Sequence, residues 1–462
     1  MSVDVIIVGG GIAGLSAAYE LQQRQLRFVL LERTTRTGGV ILSEKVDGLT
    51  LDAGPDSLLV QKPAAIRLCE ELGLGPSLVP TKPPRLAYIQ RGGRLHPLPA
   101  SSVLGIPTRL GPFISTTLFS LSGKLRMAAE LFVPPRRDPA DESIGSFMTR
   151  RFGVEATTYL AEPLLAGIHA GDVNRLSVRA LFPRFVEAER SYGSLLRAFR
   201  AQPRPAAGDG AFRSLPGGLS EMVRALTARL PADAVHLDAP VRRLALADTS
   251  RPFTVKTESG ARHTASAVIF ATPAYVTGAL VRDFDTELAR LCSEVPYAST
   301  ATIVLAFKRT DIAHPMNGSG FVVPRVESSG ILAGSWMSSK WPNRAPDDVA
   351  LLRTFVGGAR DPRALARSDD ELVELSLAAL SPLLGLRGAP HLRRVYRWER
   401  TSAQHEVGHA TRMDAIDRAL ARRPGMFVTG SGFRGVGIPD CVADGRATAT
   451  QVADYLRKGP PA

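Results

Sequence analysis

The chain has 462 residues, of which 44% are hydrophobic, and it carries a net charge of +13. Its length favours two or three domains, and its hydrophobic content excludes a disordered polymer. The three cysteines are far apart and lack C-x-x-C spacing, which excludes a disulfide framework and a structural zinc site and is typical of a reducing compartment.

The basic residues are scattered rather than clustered with aromatic residues, which argues against binding of nucleic acid. A basic surface, an anionic substrate and an anionic membrane remain open as explanations of the charge. The chain begins without a basic secretory segment and contains no uninterrupted apolar run of about 18 residues. We therefore expect a cytoplasmic protein without a membrane span.

The predicted elements begin with a β-α-β unit. Residues 3–8 and 27–31 have the short, β-branched character of buried parallel strands, and residues 12–23 contain good helix formers. Residues 95–198 are predicted to be mainly helical, with one helix beginning near Ser143 and ending at Gly153. The later predictions are a loop at 202–210, a helix at 219–230, strands at 240–246, 267–271, 301–307 and 426–429, and a helix at 441–457.

A G-x-G-x-x-G motif joins the first strand to the first helix. Its glycines permit a tight turn and a close approach of a pyrophosphate, and the helix N-terminus favours phosphate. Glu32 ends the second strand, where an acid can accept hydrogen bonds from a ribose. The sequence therefore predicts a dinucleotide site formed by Gly9, Gly10, Gly11, Ile12, Ala13, Gly14 and Glu32.

Three further segments distinguish FAD from NAD. Residues 31–39, LERTTRTGG, resemble the E-x(3)-R-x-G-G extension of the FAD-binding amine oxidase superfamily, and residues 52–57, DAGPDS, resemble its next block. Residues 429–447 resemble its C-terminal flavin-binding block. The resemblance implies non-covalent FAD held additionally by Arg36, Gly38, Gly39, Gly54, Pro55, Asp56, Ser57, Val241, Trp398, Gly430, Val436, Gly437 and Ile438.

Several blocks resemble the oxygen-dependent porphyrinogen oxidases in particular. They are GIHAGDVNRLSVRALFPRFVEAERSYGSLL at 167–196, GVGIPDC at 435–441, Trp398 with Gly408-His409, and two blocks similar to the Gram-positive branch, GIPTRLGPFISTTLFSLSGK and SSKWPNRAP. The resemblance implies an α/β and α+β fold with a Rossmann-like FAD domain of the p-hydroxybenzoate-hydroxylase type. It divides the chain into an FAD-binding domain (1–83, 199–278 and 405–462), a substrate-binding domain (84–94 and 279–404) and a helical, membrane-contacting domain (95–198).

The resemblance also implies the chemistry. FAD would remove six electrons from a porphyrinogen in haem biosynthesis, and O2 would reoxidise it to give H2O2, so no protein group is predicted to be catalytic. Arg85 would bind a propionate of the substrate, and Gly167 would leave room for a pyrrole ring. Protoporphyrinogen IX and coproporphyrinogen III both remain open as substrates, as do a homodimer, a peripheral membrane contact and product transfer to ferrochelatase.

Two histidines depart from the family pattern. His169 replaces the tyrosine of G-x-Y-A-G-D, and His405 replaces the tyrosine of a Pro-Gln-Tyr sequence. Both are candidates for acid-base work, although single histidines are more often structural. A flavin amine oxidase, a carotenoid desaturase and a non-catalytic flavoprotein are the alternative functions.

Overall fold

A parallel sheet of five strands forms the base of the fold. The structure is a computed structural model that describes residues 2–99, 102–103, 106–107, 110–201, 210–247 and 252–459. In spatial order the strands are Val235–His236, Phe28–Leu31, Val5–Val8, Ala267–Phe270 and Met426–Val428, and all neighbours run parallel. The central strands are short and apolar because both faces of the sheet are covered.

Alternate side chains of these strands enter two hydrophobic cores. Ile7 and Leu30 contribute to one core, and Ile6 and Val29 contribute to the other. The helices of the first core are Ile12–Gln23, Ala64–Glu71, Ser220–Arg229 and Ile438–Lys458. The second core contains the helices Ala274–Val281, Thr286–Ser293 and His409–Ala421 and the antiparallel strands Val241–Leu246, Phe253–Thr257 and Arg262–Ala265.

The predicted β-α-β unit is confirmed, and its helix has the predicted bounds. The C-terminal helix begins at Ile438, three residues before the prediction. Pro439 in its first turn explains the earlier start, because proline needs no N–H partner there and its fixed φ suits a helix.

A second, seven-stranded sheet, called here the large sheet, is mostly antiparallel. Its order is Leu392–Ala403, Tyr297–Lys308, Val349–Gly357, Ala333–Trp336, Gly320–Val322, Tyr88–Arg91 and Arg94–Pro97, with one parallel pair between the fifth and sixth strands. One face contacts the helix Asp369–Leu384, and the other contacts the hairpin Ser43–Val46 and Leu49–Asp52. The strand predicted at 301–307 is longer, because it pairs with two long neighbours along most of its length.

The region predicted to be helical contains helices from Leu110 onward. They are Leu110–Ser115, Leu121–Ala128, Ala129–Phe132, Ile144–Phe152, Val154–Ala156, the π-helix Thr157–Ala166, Gly167–His169, Val178–Leu181, Pro183–Tyr192 and Leu195–Ala201. Ser143 caps one of these helices by accepting a hydrogen bond from the amide of Ser146, and Gly153 ends it with a positive φ of 91°, both as predicted. Before Leu110 the prediction is wrong, because residues 94–97 form the edge of the large sheet and the strands Ser102–Val103 and Ile106–Pro107 pair with each other.

The remaining elements are small. Leu58–Leu59, Phe212–Ser214 and Val79–Pro80 form a three-stranded sheet. The short helices are Gly75–Ser77, Ala232–Ala234, Arg309–Asp311, Arg325–Glu327, Met337–Lys340, Gly358–Arg360 and Ala364–Ala366. The loop predicted at 202–210 lies outside the described residues except for Gly210. Among the helices that the structure describes, none is long and apolar enough to cross a membrane.

Candidate functional site

The glycine turn, residues 9–14, lies between the strand Val5–Val8 and the helix Ile12–Gln23. Gly9 has a positive φ of 108°, and a β-carbon there would lie 2.7 Å from the carbonyl oxygen of Ala271. A β-carbon at Gly14 would lie 2.0 Å from the carbonyl oxygen of Gly9. At Gly11, by contrast, no described atom lies within 4 Å of a β-carbon. The turn therefore combines close packing with open space beside a helix N-terminus, which suits a phosphate group.

Glu32 lies at the end of the neighbouring strand and is 9% exposed. Its Oε2 accepts a hydrogen bond from the amide of Gly10 at 2.7 Å, and its Oε1 accepts from the amide of Thr34 at 3.0 Å and from its hydroxyl at 2.8 Å. A carboxylate has about four acceptor positions, so one position remains for a ribose hydroxyl. The amide of Ala239 donates to the backbone carbonyl of Glu32, which brings the segment before Val241 alongside.

Arg36 shapes the next loop through backbone contacts. Its guanidinium donates to the carbonyls of Thr37 at 3.2 Å, Gly39 at 2.6 Å and Ile41 at 3.2 Å. The amide of Gly38 donates to the carbonyl of Gly10 at 2.8 Å. The predicted residues of this loop therefore lie directly against the glycine turn, and Arg36 supports the loop from within.

The segment 52–57 packs on the side of the loop 36–41 and follows the hairpin strand Leu49–Asp52. A β-carbon at Gly54 would lie 1.9 Å from the carbonyl oxygen of Val40, so the two loops are in close contact. The carboxylate of Asp56 points to the large sheet, where it accepts hydrogen bonds from Lys340 at 2.7 Å and from the Trp341 indole at 3.0 Å. Ser57 also donates to this carboxylate, at 3.1 Å. Pro55 lies between these residues and has no hydrogen-bonding side chain.

The C-terminal block joins the same site. A β-carbon at Gly430 would lie 3.4 Å from that of Ala13, and the amide of Gly430 donates to Asp444 at 2.8 Å. A β-carbon at Gly445 would lie 2.3 Å from the carbonyl oxygen of Ala13, so the two helices approach closely. Val436 and Gly437 precede the first residue of the second helix, Ile438. The site therefore has a second helix N-terminus beside a glycine-rich turn.

Trp398 connects the large sheet to this site. Its indole Nε1 donates to the carbonyl of Ala53 at 3.0 Å. Its strand pairs with Tyr297–Lys308, where Trp398 lies opposite Thr300. Trp398 therefore lies next to the segment 52–57, and its role at the cofactor stays a prediction.

The two predicted substrate residues lie in different surroundings. Arg85 is exposed, and its Nε donates to the carbonyl of Thr81 at 3.1 Å. Gly167 follows the π-helix, and a β-carbon there would contact only the carbonyl oxygen of Glu162, at 3.6 Å. The space at Gly167 agrees with a lining position, and both roles stay predictions.

His169 and His405 are neutral groups in this fold. Burial lowers the pKa of His169 to about 4 and that of His405 to about 3. The His405 ring stacks on His409 with 3.8 Å between ring centres. The Nε2 atoms of these two rings bond to the carbonyls of Ser431 at 2.9 Å and Phe433 at 2.8 Å. The stacked pair therefore supports the C-terminal glycine-rich turn.

Three cations were not singled out from the sequence. Lys340, Arg344 and Arg353 all reach the segment 52–56, and Arg344 and Arg353 are buried. The first two lie within SSKWPNRAP, a block whose resemblance gave it no role. The only signal in the sequence was the presence of a lysine and an arginine in a short block that also contains tryptophan and two prolines.

The residues present fit FAD. Open space lies beside Gly11, an acid ends the second strand, and two glycine-rich turns with helix N-termini meet at Ala13. Phosphates suit the helix N-terminus, and a ribose suits Glu32. Within the described residues, no group of three or more His, Cys, Asp or Glu side chains could hold a metal ion.

Comparison with known proteins identifies the family. Residues 12–453 match the model of the flavin-containing amine oxidoreductases. The coproporphyrinogen III oxidase of Bacillus subtilis is 34% identical over 98% of both chains. Protoporphyrinogen oxidase 2 of Arabidopsis thaliana is 26% identical over 98% of this chain and 94% of its own. A crystal structure from Exiguobacterium, described as a putative protoporphyrinogen oxidase, has a TM-score of 0.87 and 32% identity and covers 98% of this chain and 99% of its own.

These similarities confirm the predicted fold class, the FAD cofactor and the assignment to an oxidoreductase. The family match begins at Ile12, directly after Gly11, and ends within the C-terminal helix, so it includes Glu32, the segment 52–57 and the C-terminal glycine-rich turn. The chain therefore belongs to the family of flavin-containing amine oxidoreductases, with FAD as its cofactor.

Proposed function

We propose that this protein is an FAD-dependent porphyrinogen oxidase of haem biosynthesis. The observation that carries the proposal is the full-length similarity to the coproporphyrinogen III oxidase of B. subtilis. FAD, held by the glycine turn, Glu32 and the C-terminal turn, would supply the redox chemistry when bound, taking six electrons from the macrocycle in three two-electron oxidations, with O2 as the final acceptor and H2O2 as the by-product.

Coproporphyrinogen III is the substrate that we favour over protoporphyrinogen IX. The identity to the coproporphyrinogen III oxidase of B. subtilis is 34%, against 26% to the plant protoporphyrinogen oxidase. A substrate with four propionates also suits a chain of net charge +13.

The residues of the chain bind and orient the two ligands. The glycine turn, Glu32, the loop 36–39, the segment 54–57 and the C-terminal turn hold FAD, with Val241 and Trp398 at their margins. Gly167 leaves room for the flat macrocycle, and Arg85 binds a propionate at its rim. His405 and His409 hold backbone carbonyls and are not proton donors to the substrate.

The cofactor is bound without a covalent link. Cys441 lies near the C-terminal turn, but its thiol is buried and donates to the carbonyl of Gly435 at 3.0 Å. Burial raises its pKa to about 12, so the reactive thiolate does not form near neutral pH. FAD should therefore be released by acid precipitation, and flavin retained in the pellet would contradict this.

The domain boundaries given above remain our proposal. The parallel sheet draws strands from all three segments assigned to the FAD-binding domain. Six of the seven strands of the large sheet lie within the two segments assigned to the substrate-binding domain, and Arg94–Pro97 crosses one boundary. A third hydrophobic core draws most of its side chains from residues 95–198.

We further propose a cytoplasmic protein that contacts an anionic membrane through residues 114–132. Ile114, Leu121, Leu125 and Phe132 are 67%, 75%, 65% and 83% exposed. Exposed apolar side chains grouped in this way are typical of an interaction surface. The protein should bind vesicles that contain phosphatidylglycerol, and Leu121→Ser and Phe132→Ser should weaken this binding. If the same surface instead forms a dimer or binds ferrochelatase, the proposed membrane contact is wrong.

Anaerobic mixing with coproporphyrinogen III tests the activity. The flavin absorbance near 450 nm should bleach, and a fluorescent porphyrin should appear; admission of O2 should restore the absorbance and release H2O2. Bleaching by a primary amine or a carotenoid precursor, and not by a porphyrinogen, would favour one of the alternative enzymes. No bleaching by any of these would indicate a non-catalytic flavoprotein.

Arg85→Ala tests the substrate site. Loss of one clamped carboxylate should raise KM about tenfold, equivalent to about 1.4 kcal/mol, and leave the flavin spectrum unchanged. The increase should be larger for protoporphyrinogen IX, because its two propionates provide fewer other anchors. Small and equal losses for both substrates would make Arg85 a surface charge only.

A further inference from the structure

The segment 52–56 is held from one side by side chains of the large sheet and the helix before it. Lys340 and Trp341 bind the Asp56 carboxylate, and Trp398 binds the carbonyl of Ala53. Arg353 donates to the carbonyls of Asp52 at 2.7 Å and Gly54 at 2.8 Å. We call this set of contacts, together with the Arg344–Asp52 ion pair, the clamp.

The clamp contains more positive than negative charges. Three cations, Lys340, Arg344 and Arg353, face two carboxylates, Asp52 and Asp56, which leaves at least one unbalanced positive charge. Burial alone would raise the pKa of Asp56, but Lys340 and Arg353 outweigh it and hold that pKa well below its usual range. Asp56 is therefore ionised, so the negative charge of Asp56 and the positive charge of Lys340 have opposite electrostatic effects on a nearby group.

The clamp lies next to the candidate cofactor site. Gly54 is in close contact with the carbonyl of Val40, and the same loop binds the glycine turn through Gly38. The amide of Ala53 also donates to the carbonyl of Leu42. A displacement of the segment 52–56 would therefore also displace the loop that borders the proposed flavin site. Water screens the buried charges of the clamp poorly, so their electrostatic effect extends beyond the segment 52–56.

We propose that Lys340 is a positioning residue for FAD, which holds the segment 52–56 through Asp56 and supplies positive charge that favours the reduced cofactor. This inference rests on the proposed FAD site. Lys340 suits the role because its side chain is 15% exposed and its removal leaves Asp56 bonded to Trp341 and Arg353. A reduced flavin carries more negative charge than an oxidised one, so a nearby cation stabilises it.

The test is the midpoint potential of bound FAD, measured against a reference dye in the purified holoenzyme. Lys340→Met should lower the equilibrium constant for flavin reduction at least tenfold, which is about 30 mV for two electrons. Asp56→Asn should raise the constant, because it removes the opposite charge. The double variant Lys340→Met/Asp56→Asn should return close to the wild-type potential, because its net charge is unchanged.

If Lys340 and Asp56 had a purely structural role, both single variants would shift the midpoint potential in the same direction, and the double variant would show the largest shift. That pattern, or a wild-type potential in Lys340→Met, would overturn the inference. The exposed Lys256 on the strand Phe253–Thr257 provides the control, since Lys256→Met should leave the potential unchanged. If Lys340→Met does not fold, Lys340→Arg should keep the wild-type potential, and a failure of Asp56→Asn to raise it would overturn the inference.

The flavin content of the wild-type protein distinguishes a failure of the proposed cofactor site from a failure of the role of Lys340. Wild-type protein that takes up no FAD on reconstitution would contradict the proposed cofactor site. Wild-type protein that binds FAD stoichiometrically, with variants that bind equally well, isolates the role of Lys340.

Discussion

Among the residues that the structure describes, two ion pairs are fully buried, and they connect very different parts of the chain. Arg151 and Glu130 are 21 residues apart and both lie within the helical region. Arg344 and Asp52 are 292 residues apart and join the loop before the strand Val349–Gly357 to the hairpin that leads to the cofactor site. Neither pair is exposed to solvent, so replacing one partner by a neutral residue leaves the other charge buried and lowers the free energy of unfolding. The first pair stabilises one region, whereas the second fixes how two regions meet.

The surroundings of the two pairs differ accordingly. Arg151 also donates to the backbone carbonyls of Val133 at 3.0 Å and Gly193 at 2.9 Å, which belong to the same region. Arg344 donates to the carbonyls of Leu215 at 2.7 Å and Pro216 at 2.6 Å, directly before the helix Ser220–Arg229. Burial also raises the pKa of Asp52 in spite of its ion pair. The long-range pair can therefore relax by protonation.

The largest effect on the free energy of unfolding is expected for Arg151→Met. It leaves Glu130 buried without its cation, which should cost about 3–5 kcal/mol. Urea unfolding would measure the loss, and the FAD content per folded chain should be unchanged. The exposed pair Arg290–Glu294 provides the control, since Arg290→Met should change stability by less than about 1 kcal/mol.

Arg344→Met should destabilise the protein by about 3 kcal/mol, at the lower end of that range, because Asp52 can take up a proton. Unlike Arg151→Met, it should also weaken FAD retention, measured as flavin released on dilution. Equal flavin retention in both variants would remove the distinction between the two pairs.

The stacked histidines predict a pH dependence that neither ion pair produces. The pKa values of His405 and His409 are lowered by burial, to about 3 for His405. Below about pH 6.5 the unfolded chain binds these protons and the folded chain does not, so stability falls as the pH is lowered. For His405, whose folded pKa is about 3, the slope should approach about 1.4 kcal/mol per pH unit below pH 6.5. Urea unfolding between pH 7 and pH 5 would measure the slope, and His405→Gln should reduce it, while His169 and His409 maintain the remainder.

Gly11→Val should have the smallest effect on stability among these variants, about 1 kcal/mol for the apoprotein, because Gly11 is the N-cap of the helix Ile12–Gln23 and valine is a poorer cap than glycine. Gly11 has extended dihedral angles, φ −68° and ψ 175°, and no described atom lies within 4 Å of a β-carbon there, so the backbone accepts a side chain without strain. Because that space is where we place the pyrophosphate, FAD binding should be abolished. Full flavin content in a folded Gly11→Val protein would show that the phosphates lie elsewhere.

The sequence by itself determined the local elements whose signals lie within a few residues. The helix Ile12–Gln23 has its predicted bounds, because glycines precede it and good helix formers fill it. Ser143 and Gly153 mark the two ends of their helix through a side-chain cap and a positive φ. The glycine turn and Glu32 were also predictable, because one β-α-β unit contains them all.

Only the tertiary structure decided which distant segments meet. Residues 95–97 were predicted to lie in a helical region, but the strand Arg94–Pro97 pairs with its neighbour Tyr88–Arg91, and the pairing of Tyr88–Arg91 with the distant strand Gly320–Val322 places both at the edge of the large sheet. Lys340 and Asp56 are 284 residues apart, and no local pattern links a lysine in SSKWPNRAP to an aspartate in DAGPDS. Their pairing follows from the packing of the helix Met337–Lys340 against the segment after the hairpin, since buried opposite charges need partners whatever their distance along the chain.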